Sequence, residues 1–237
     1  MTGQTINSFT KIIFIMVLDF HFLSDILQIV KLKTKIKRQQ RTLKGVRTME
    51  VQPIRDKKVL EKMKKFLRAN NLRDYCLFTF GINSGLRISD LLNLRIADIK
   101  DDSGNYRNRV SVVERKTGKA KDFPVGDNAI EAIKEYLATR PEVSSDDYLF
   151  QSRQGGNRPI TRNMAWQILN AAGKYAGVKD AIGTHTMRKT FGYHAYKMKT
   201  DLSVIQKLLN HSSPAITLSY IGITRDDLDS VYLNLNL

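Results

Sequence analysis

The sequence predicts a mainly α-helical fold that carries one small antiparallel β-sheet, an α+β arrangement. From residue 55 onward, apolar side chains recur three and four positions apart in successive segments, which is typical of amphipathic helices. One stretch differs: two β-prone runs flank Thr117-Gly118, and a glycine in a short polar connection predicts a hairpin. Apolar residues make up 42% of the 237 residues, so the chain can build a hydrophobic core.

The predicted elements follow from local patterns in chain order. The first helix is predicted over residues 55–69, with Asp56 near its start, and a more apolar, more buried second helix over 72–83. Gly85 then interrupts the helical pattern, and a third helix is predicted over 88–94. The strands are predicted over 109–115 and 121–125, and the later helices over 127–139 with an Asp cap, 161–176 with a Thr cap, 185–198, 202–209, 214–221 and 226–235.

The positive charge of the chain is large and unevenly distributed. A formal net charge of +16 indicates a polyanionic partner, with nucleic acid as the first candidate and an anionic membrane surface as the second. Eight Lys or Arg and no acidic residue fall within residues 31–47. We expect residues 1–48 to form a basic, poorly ordered extension whose arm, residues 31–48, is either solvated or in contact with phosphates. The candidate phosphate-binding side chains of this arm are Lys31, Lys33, Lys35, Lys37, Arg38 and Arg41.

Two features of the composition exclude whole classes of protein. The apolar run at residues 12–18 is too short to cross a bilayer, which needs about 20 residues, and no small-residue cleavage site follows it. Cys76 is the single cysteine, so an internal disulfide and a multi-cysteine zinc site are excluded. Its apolar neighbours predict a buried structural thiol.

Candidate catalytic residues stand in separated motifs. Positions i and i+3 share one face of a helix, so His185 and Arg188 can point at one small anionic group. A planar guanidinium donates two parallel hydrogen bonds to phosphate oxygens, and a second candidate arginine, Arg87, stands earlier in the chain in the run Asn-Ser-Gly-Leu-Arg-Ile-Ser-Asp. Further along, Leu-Leu-Asn-His-Ser-Ser contains His211, and Tyr220 follows nine residues later.

The order Arg, Lys, His-x-x-Arg, His, Tyr resembles the catalytic set of the tyrosine recombinases, also called the phage integrase family. The resemblance covers roughly residues 50–237, and we interpret residues 49–237 as the catalytic domain of a DNA breaking-rejoining enzyme. It implies that Arg87 and Arg188 hold the non-bridging oxygens of a DNA phosphodiester and stabilise the transition state. It also implies that Tyr220 attacks phosphorus through a phenol whose pKa is lowered by these guanidinium groups.

The remaining roles also come from the resemblance. Lys116, on the predicted hairpin, would protonate the leaving 5′ oxygen, because a lysine beside other cations has its pKa lowered. Lys119 and Lys121 are its alternatives if the register differs, and Lys119 is also a candidate DNA contact. His185 would be the base or an orienting donor, and His211 a further donor to the phosphate. Asp90, three residues after Arg87, would orient the phosphate cage, meaning the side chains that hold the phosphate, or serve as an ordinary acid in a first helical turn.

The implied chemistry needs neither metal nor cofactor. Arginines neutralise the phosphate, lysine assists the leaving group, and the phosphotyrosine ester conserves the bond energy, so ATP is not required. The sequence contains no His-Glu-x-x-His motif and no phosphate-binding loop of the Gly-x-x-x-x-Gly-Lys type. The implied partners are double-stranded DNA, further copies of the chain in a dimer or tetramer on DNA, and an accessory DNA-bending protein. The implied setting is the cytoplasm, with the gene carried by a bacterium or phage.

The chain departs from the family pattern at its N-terminal end and follows it at its C-terminal end. Relatives usually place a helical core-binding domain before the catalytic domain, and residues 1–48 do not resemble one. Because Met49 opens a segment typical of the start of a recombinase catalytic domain, residues 1–48 are either an upstream extension of the reading frame or a short DNA-contacting arm. The apolar stripe in residues 226–235 is typical of a C-terminal helix that docks on a neighbouring subunit or on its own domain.

Three other functions remain open from the sequence alone. A tyrosine-type DNA topoisomerase shares the chemistry but lets the cut strand swivel. A non-catalytic DNA-binding relative would keep the fold without the reaction. A membrane-surface protein rests only on the basic arm and the N-terminal apolar run.

Overall fold

The computed structural model describes residues 51–223, 229 and 232–235. Within them the fold is mostly helical with one two-stranded sheet, which confirms the predicted fold class. The helices are α1 (Lys57–Asn70), α2 (Leu72–Ser84), α3 (Ile88–Leu92), α4 (Ile96–Ile99), α5 (Asp127–Leu137), α6 (Arg162–Ala176), α7 (Thr186–Lys197), α8 (Leu202–Leu208) and α9 (Pro214–Ile221), and the strands are β1 (Arg109–Val113) and β2 (Ala120–Pro124).

Capping residues explain where several helices begin. The side chain of Asp56 accepts a hydrogen bond from the amide of Lys58 at the start of α1, and that of Thr161 accepts one from Met164 at the start of α6. The predicted Asp cap of α5 is wrong: Gly126 is the cap residue, and Asp127 is already helical. There the acid stabilises the helix through its dipole rather than by capping. The four-residue α4 was not predicted, because so short a helix shows no apolar periodicity.

Helix α2 lies at the centre of the fold and positions the site. Cys76, Leu77 and Phe78 are fully buried, as the apolar character of this segment predicts, and α2 packs against α1, α5 and α7. Burying each large apolar side chain contributes about 1.5–3 kcal/mol. The helix ends at Gly85, which has a φ of +58°, and a Cβ there would lie 2.5 Å from the ring of Phe191. Glycine therefore lets the chain turn close to α7.

The sheet is a single hairpin that packs one face on the core. Val110 pairs with Phe123 in the antiparallel register, and both side chains are buried. The first strand ends at Val113, earlier than predicted, because the backbone turns at the next residue. The amide of Gly118 donates to the carbonyl of Glu114 over 2.8 Å, which closes the turn. The hairpin tip therefore projects from a firmly packed base.

A second, smaller apolar cluster holds the C-terminal part of the site. Ile205, Leu209 and Ile221 are fully buried and join α8 and α9 to α7. Gly192 in α7 permits this approach, because a Cβ there would lie 2.8 Å from Ile221. This cluster fixes α9 against α7, and α9 carries Tyr220.

Two predictions fall outside the described residues. The N-terminal extension, residues 1–48, lies wholly outside them, and half of the predicted helix 226–235 does, namely residues 226–228, 230 and 231. Among the residues that the structure describes, no helix is long and apolar enough to cross a membrane.

Candidate active site

Two arginines meet at one buried carboxylate. Arg87 is the cap residue of α3, and Arg188 lies in the first turn of α7. Glu114, just beyond β1, is fully buried between them. Its Oε2 lies 2.5 Å from Nη1 of Arg87, and its Oε1 lies 3.6 Å from Nη1 of Arg188. The structure thus brings together two guanidinium groups that lie far apart in the sequence.

Backbone carbonyls fix the guanidinium of Arg188. Its Nη1 donates to the carbonyl of Gly85 over 2.8 Å, and its Nη2 donates to the carbonyl of Leu209. The side chain is only 2% exposed, and burial, followed by the charge of Arg87, lowers its pKa below the usual value for arginine. A buried guanidinium with fixed donors is preorganised for an anion, which is the condition for electrostatic stabilisation of a transition state.

Tyr220 reaches this pair from α9 of the same chain. Its hydroxyl lies 3.1 Å from Nδ1 of His185, and its ring packs edge-on against that of His211 with centroids 4.8 Å apart. Burial raises the pKa of Tyr220, although Arg188 and Arg87 oppose this effect. The guanidinium groups do lower this pKa, but the predicted net lowering is wrong for the protein without DNA, because the desolvation of the phenolate outweighs them.

Both site histidines favour the neutral form. Burial, together with the charges of Arg162 and Arg188, lowers the pKa of His185. Burial, with the charges of Arg188 and Arg87, lowers the pKa of His211 to about 4. A neutral imidazole can accept a proton, so His185 is poised to take the proton of the Tyr220 hydroxyl that it contacts.

The buried hydroxyl of Thr217 orients His211. Its Oγ1 lies 3.1 Å from Nδ1 of His211 and 3.3 Å from the carbonyl oxygen of Ser213. The hydroxyl has a single hydrogen: when it donates to the Ser213 carbonyl it accepts from Nδ1, and when it donates to Nδ1 the other ring nitrogen, Nε2, carries the hydrogen that it can donate to a phosphate oxygen. The hydroxyl of Thr217 therefore influences which ring nitrogen of His211 carries the hydrogen.

The three candidate lysines of the hairpin occupy different environments. Lys116 is exposed in the turn, and its charge is among those that lower the pKa of His185, which places it on the same side of the site. Lys119 is exposed on the hairpin, where its carbonyl accepts a hydrogen bond from the amide of Glu114. Lys121 instead points inward and donates to the carbonyl of Ser84 over 3.0 Å. Burial, with the charges of Arg188 and Arg87, lowers the pKa of Lys121 to about 8.

Asp90 is buried and holds the hairpin rather than an arginine. Its Oδ1 accepts a hydrogen bond of 3.1 Å from the backbone amide of Arg115, the residue before Lys116. The contact shows that this carboxylate orients the hairpin turn, and its role in orienting the phosphate cage stays a prediction. It ties the lysine-bearing turn to α3, which begins next to Arg87.

Sequence reasoning missed three residues of this site. Glu114 was read only as part of a strand, and Thr217 only as part of the helix that carries Tyr220. Lys189, next to Arg188, is buried and places its Nζ 5.4 Å from the centroid of the Tyr220 ring. A buried charge next to a motif arginine is the signal that could have drawn attention to Lys189, but burial is not visible in the sequence. Within the described part of the chain, no three His, Cys, Asp or Glu side chains gather in a way that could hold a metal ion.

Comparisons with known proteins agree with this geometry. The chain is 41% identical over 182 residues to the probable integrase/recombinase YoeC of Bacillus subtilis (strain 168), which covers 77% of this chain and 95% of YoeC. It is 33% identical over 165 residues to the tyrosine recombinase XerD of Corynebacterium glutamicum, which covers 68% of this chain and 52% of XerD. The crystal structure of XerA recombinase matches with a TM-score of 0.64 at 22% identity, over 81% of this chain and 66% of that one, and so shows the shared fold.

The matches cover different shares of the relatives' own length. The chain spans nearly all of YoeC but about half the length of XerD. The family model described as "Phage integrase family" matches residues 54–226, which include every cage residue described above. Since this match covers most of the chain and agrees with the arrangement of Arg87, Arg188 and Tyr220, the chain belongs to the phage integrase family.

Proposed function

We propose that the protein is a site-specific tyrosine recombinase that cleaves and rejoins double-stranded DNA through a covalent 3′-phosphotyrosine intermediate. One observation carries the proposal: the hydroxyl of Tyr220 lies 3.1 Å from His185 and close to the paired guanidinium groups of Arg87 and Arg188. A nucleophile, a base and an anion cage thereby converge within one chain.

The cleavage step follows from these positions. The phenolic oxygen of Tyr220 forms a bond to the phosphorus held by Arg87 and Arg188 while its proton passes to Nδ1 of His185. The bond between phosphorus and the 5′ oxygen breaks, so the 3′ phosphate stays on the tyrosine. The arginines and His211 neutralise the charge that grows on the non-bridging oxygens.

The leaving 5′ oxygen needs a proton, which Lys116 supplies from the hairpin turn. Its exposure in that turn suits a residue that must reach over a bound duplex. Attack by a 5′ hydroxyl from another strand reverses every bond change and completes strand exchange, so the reaction is neutral in the number of phosphodiester bonds. The scheme uses only side chains of the protein, without metal or ATP.

Double-stranded DNA is the partner that fits both the chemistry and the charge. The net charge of +16 favours a polyanion, and the basic arm would add phosphate contacts beyond the cage. The natural setting of such a reaction is the bacterial cytoplasm.

We also propose that the protein assembles as a dimer or tetramer on DNA. Large apolar side chains remain exposed on α8 and α9, next to the tyrosine: Val204, Leu208, Ile216 and Leu218. Exposed apolar groups at one place favour a protein partner, and a second copy of the chain is the simplest one. Light scattering with a duplex site should show more than one protein per site as protein concentration rises. A strictly 1:1 complex at saturating protein would contradict assembly.

Nicked duplexes made from the DNA that flanks the gene test the cleavage proposal. When the duplex carries a nick just beyond the cut site, cleavage frees a short fragment with a 5′ hydroxyl, which diffuses away and cannot reverse the reaction. The covalent adduct therefore accumulates and separates from free protein on a denaturing gel. We expect an adduct with the unaltered protein and none with the matched variant Tyr220→Phe, which removes only the hydroxyl. Absence of an adduct on every flanking duplex, despite DNA binding, would indicate a non-catalytic relative. Relaxation of supercoiled plasmid without recombinant products would indicate a topoisomerase.

A further inference from the structure

We infer that Glu114 is a positioning residue for DNA cleavage, which sets the orientation of Arg87 and Arg188 and the net charge of the cage. The inference rests on the proposed function and concerns a side chain outside the catalytic set that the motifs define. Glu114 does not touch the substrate, and its role follows from its position behind the arginines.

The contacts of Glu114 place it behind the arginines. It has no exposed surface, whereas Tyr220 and His211 retain partial exposure, so a phosphate must approach from their side. One carboxylate oxygen contacts Nη1 of Arg87 at 2.5 Å and the other faces Nη1 of Arg188 at 3.6 Å. A single rigid anion thus holds two long, flexible side chains side by side, which lowers the entropy lost when DNA binds.

The same carboxylate ties the cage to the hairpin that carries Lys116. The hydroxyl of Thr117 donates to Oε2 of Glu114 over 2.8 Å. The amides of Thr117 and Gly118 donate to the backbone carbonyl of Glu114 over 3.2 and 2.8 Å. The oxygen that contacts Arg87 therefore also fixes the residue after Lys116. Movement of the turn and orientation of the arginine are coupled through one atom.

Charge counting gives the second part of the role. The buried or partly buried charges around Glu114 are the cations Arg87, Arg188 and Lys121 and the carboxylate Asp90. Three cations and two carboxylates leave a single net positive charge. Without Glu114 these groups would carry two net positive charges, and the two guanidinium groups, no longer held by a common anion, would repel each other.

The surroundings of Glu114 keep it charged and in place. Burial alone would raise its pKa, but the side chains of Arg87, Asn210 and Thr117 outweigh burial and lower the pKa to about 2. Asn210 faces the carboxylate without a hydrogen bond of good geometry, and its backbone has a φ of +46°. That left-handed conformation, which asparagine tolerates, directs the residue just before His211 toward Glu114.

Glu114→Gln tests both parts, because it keeps the shape and removes the charge. The matched control is Asp122→Asn, in the same hairpin, whose carboxylate forms an exposed ion pair with Arg109. Single-turnover cleavage of the nicked duplex at saturating protein gives the rate constant, and a binding titration gives the Kd. We expect cleavage to fall by about 100-fold in Glu114→Gln, as for other losses of alignment, with a Kd that is unchanged or lower. The control should match the unaltered protein in both measurements.

A direct electrostatic readout separates positioning from simple loss of structure. The charged groups that face Lys121 are Arg188, Glu114, Arg87 and Asp90, and of these the two carboxylates raise its pKa. Titration of Lys121 by NMR should therefore show a pKa below about 8 in Glu114→Gln. The shorter variant Glu114→Asp keeps the charge, so it should keep the pKa of Lys121 while still cleaving more slowly. If Glu114→Gln does not fold, Glu114→Asp decides the matter.

The possible failures are distinguishable. If the unaltered protein forms no adduct, the proposed function fails. If the unaltered protein forms the adduct and both Glu114 variants cleave as fast as the unaltered protein, this inference alone is overturned. It is also overturned if weaker DNA binding, measured as a higher Kd, explains their slower cleavage entirely.

Discussion

The hydroxyl oxygen of Tyr220 lies 3.1 Å from Nδ1 of His185, and both residues belong to the same chain. The contact exists without DNA, so the path for the tyrosine proton is already formed. Burial raises the pKa of Tyr220 and lowers that of His185, which keeps both groups neutral before DNA binds.

Removal of Arg188 should impair both activity and stability. We expect Arg188→Ala to lower the single-turnover cleavage rate constant by about 10²–10³-fold or more, because a preorganised donor to the phosphate is lost. It should also lower the free energy of unfolding by about 3–5 kcal/mol, since Glu114 loses one of its two buried partners. Urea denaturation measures the second effect. The control Arg109→Ala breaks an exposed ion pair and should change stability by less than about 1 kcal/mol. Equal stability of the two variants would contradict the prediction.

The identity of the acid can be settled with a modified substrate. Lys116→Ala should lower the cleavage rate constant by about 10²–10⁴-fold, the usual contribution of a general acid. A duplex in which sulfur replaces the bridging 5′ oxygen should restore the rate, because a thiolate leaves without a proton. Lys121→Ala, the alternative, should not be rescued in this way, since Lys121 is tied to the carbonyl of Ser84. Rescue of Lys121→Ala but not of Lys116→Ala would reverse the assignment.

Stability should decrease when the pH falls from about 6.5 to about 4. The pKa of His211 is about 4 in the folded protein and 6.5 in the reference state, so in this range the unfolded chain binds a proton that the folded chain does not. The lowered pKa values of His185 and His194 act in the same direction. Urea midpoints at pH 7 and pH 5 measure the effect, and His211→Gln should reduce the difference between them. A midpoint that rises on acidification would contradict the prediction.

The basic arm should contribute to affinity but not to chemistry. A protein that begins at Met49 lacks the eight Lys or Arg of residues 31–47. Each phosphate contact that is lost should reduce the slope of log K against log salt by about 0.9. Cleavage at saturating protein should be unchanged, because no residue of the cage is removed. An unchanged salt slope would show that the arm does not contact DNA.

Local patterns were sufficient to predict most of the fold. Apolar periodicity predicted the long helices, and Thr161 was recognised as a cap because its hydroxyl satisfies the same amide in any context. The motifs also gave the residues that meet in the cage, because chemistry restricts which side chains can hold a phosphate. The Asp cap of α5 failed because Asp127 works equally well in a first helical turn.

Features that depend on three-dimensional burial could not be predicted. Glu114 stands among exposed hairpin residues in the sequence, and only the approach of Arg87 and Arg188 turns it into a buried bridge. The pKa of Tyr220 was predicted with the wrong sign because the neighbouring charges are visible in the motif while the desolvation is not. Lys121 was already an alternative acid from the sequence, but its inward direction was not predicted, because it follows from the register of β2.

The most direct test of the account is the chemical identity of the covalent adduct. The adduct trapped on a nicked duplex should be digested with protease, and the DNA-bound peptide identified by mass spectrometry. We predict a phosphodiester that joins the phenolic oxygen of Tyr220 to the 3′ end of the cut strand, with a free 5′ hydroxyl on the released fragment. Attachment through another residue, or a phosphate on the 5′ side of the break, would contradict the proposed mechanism.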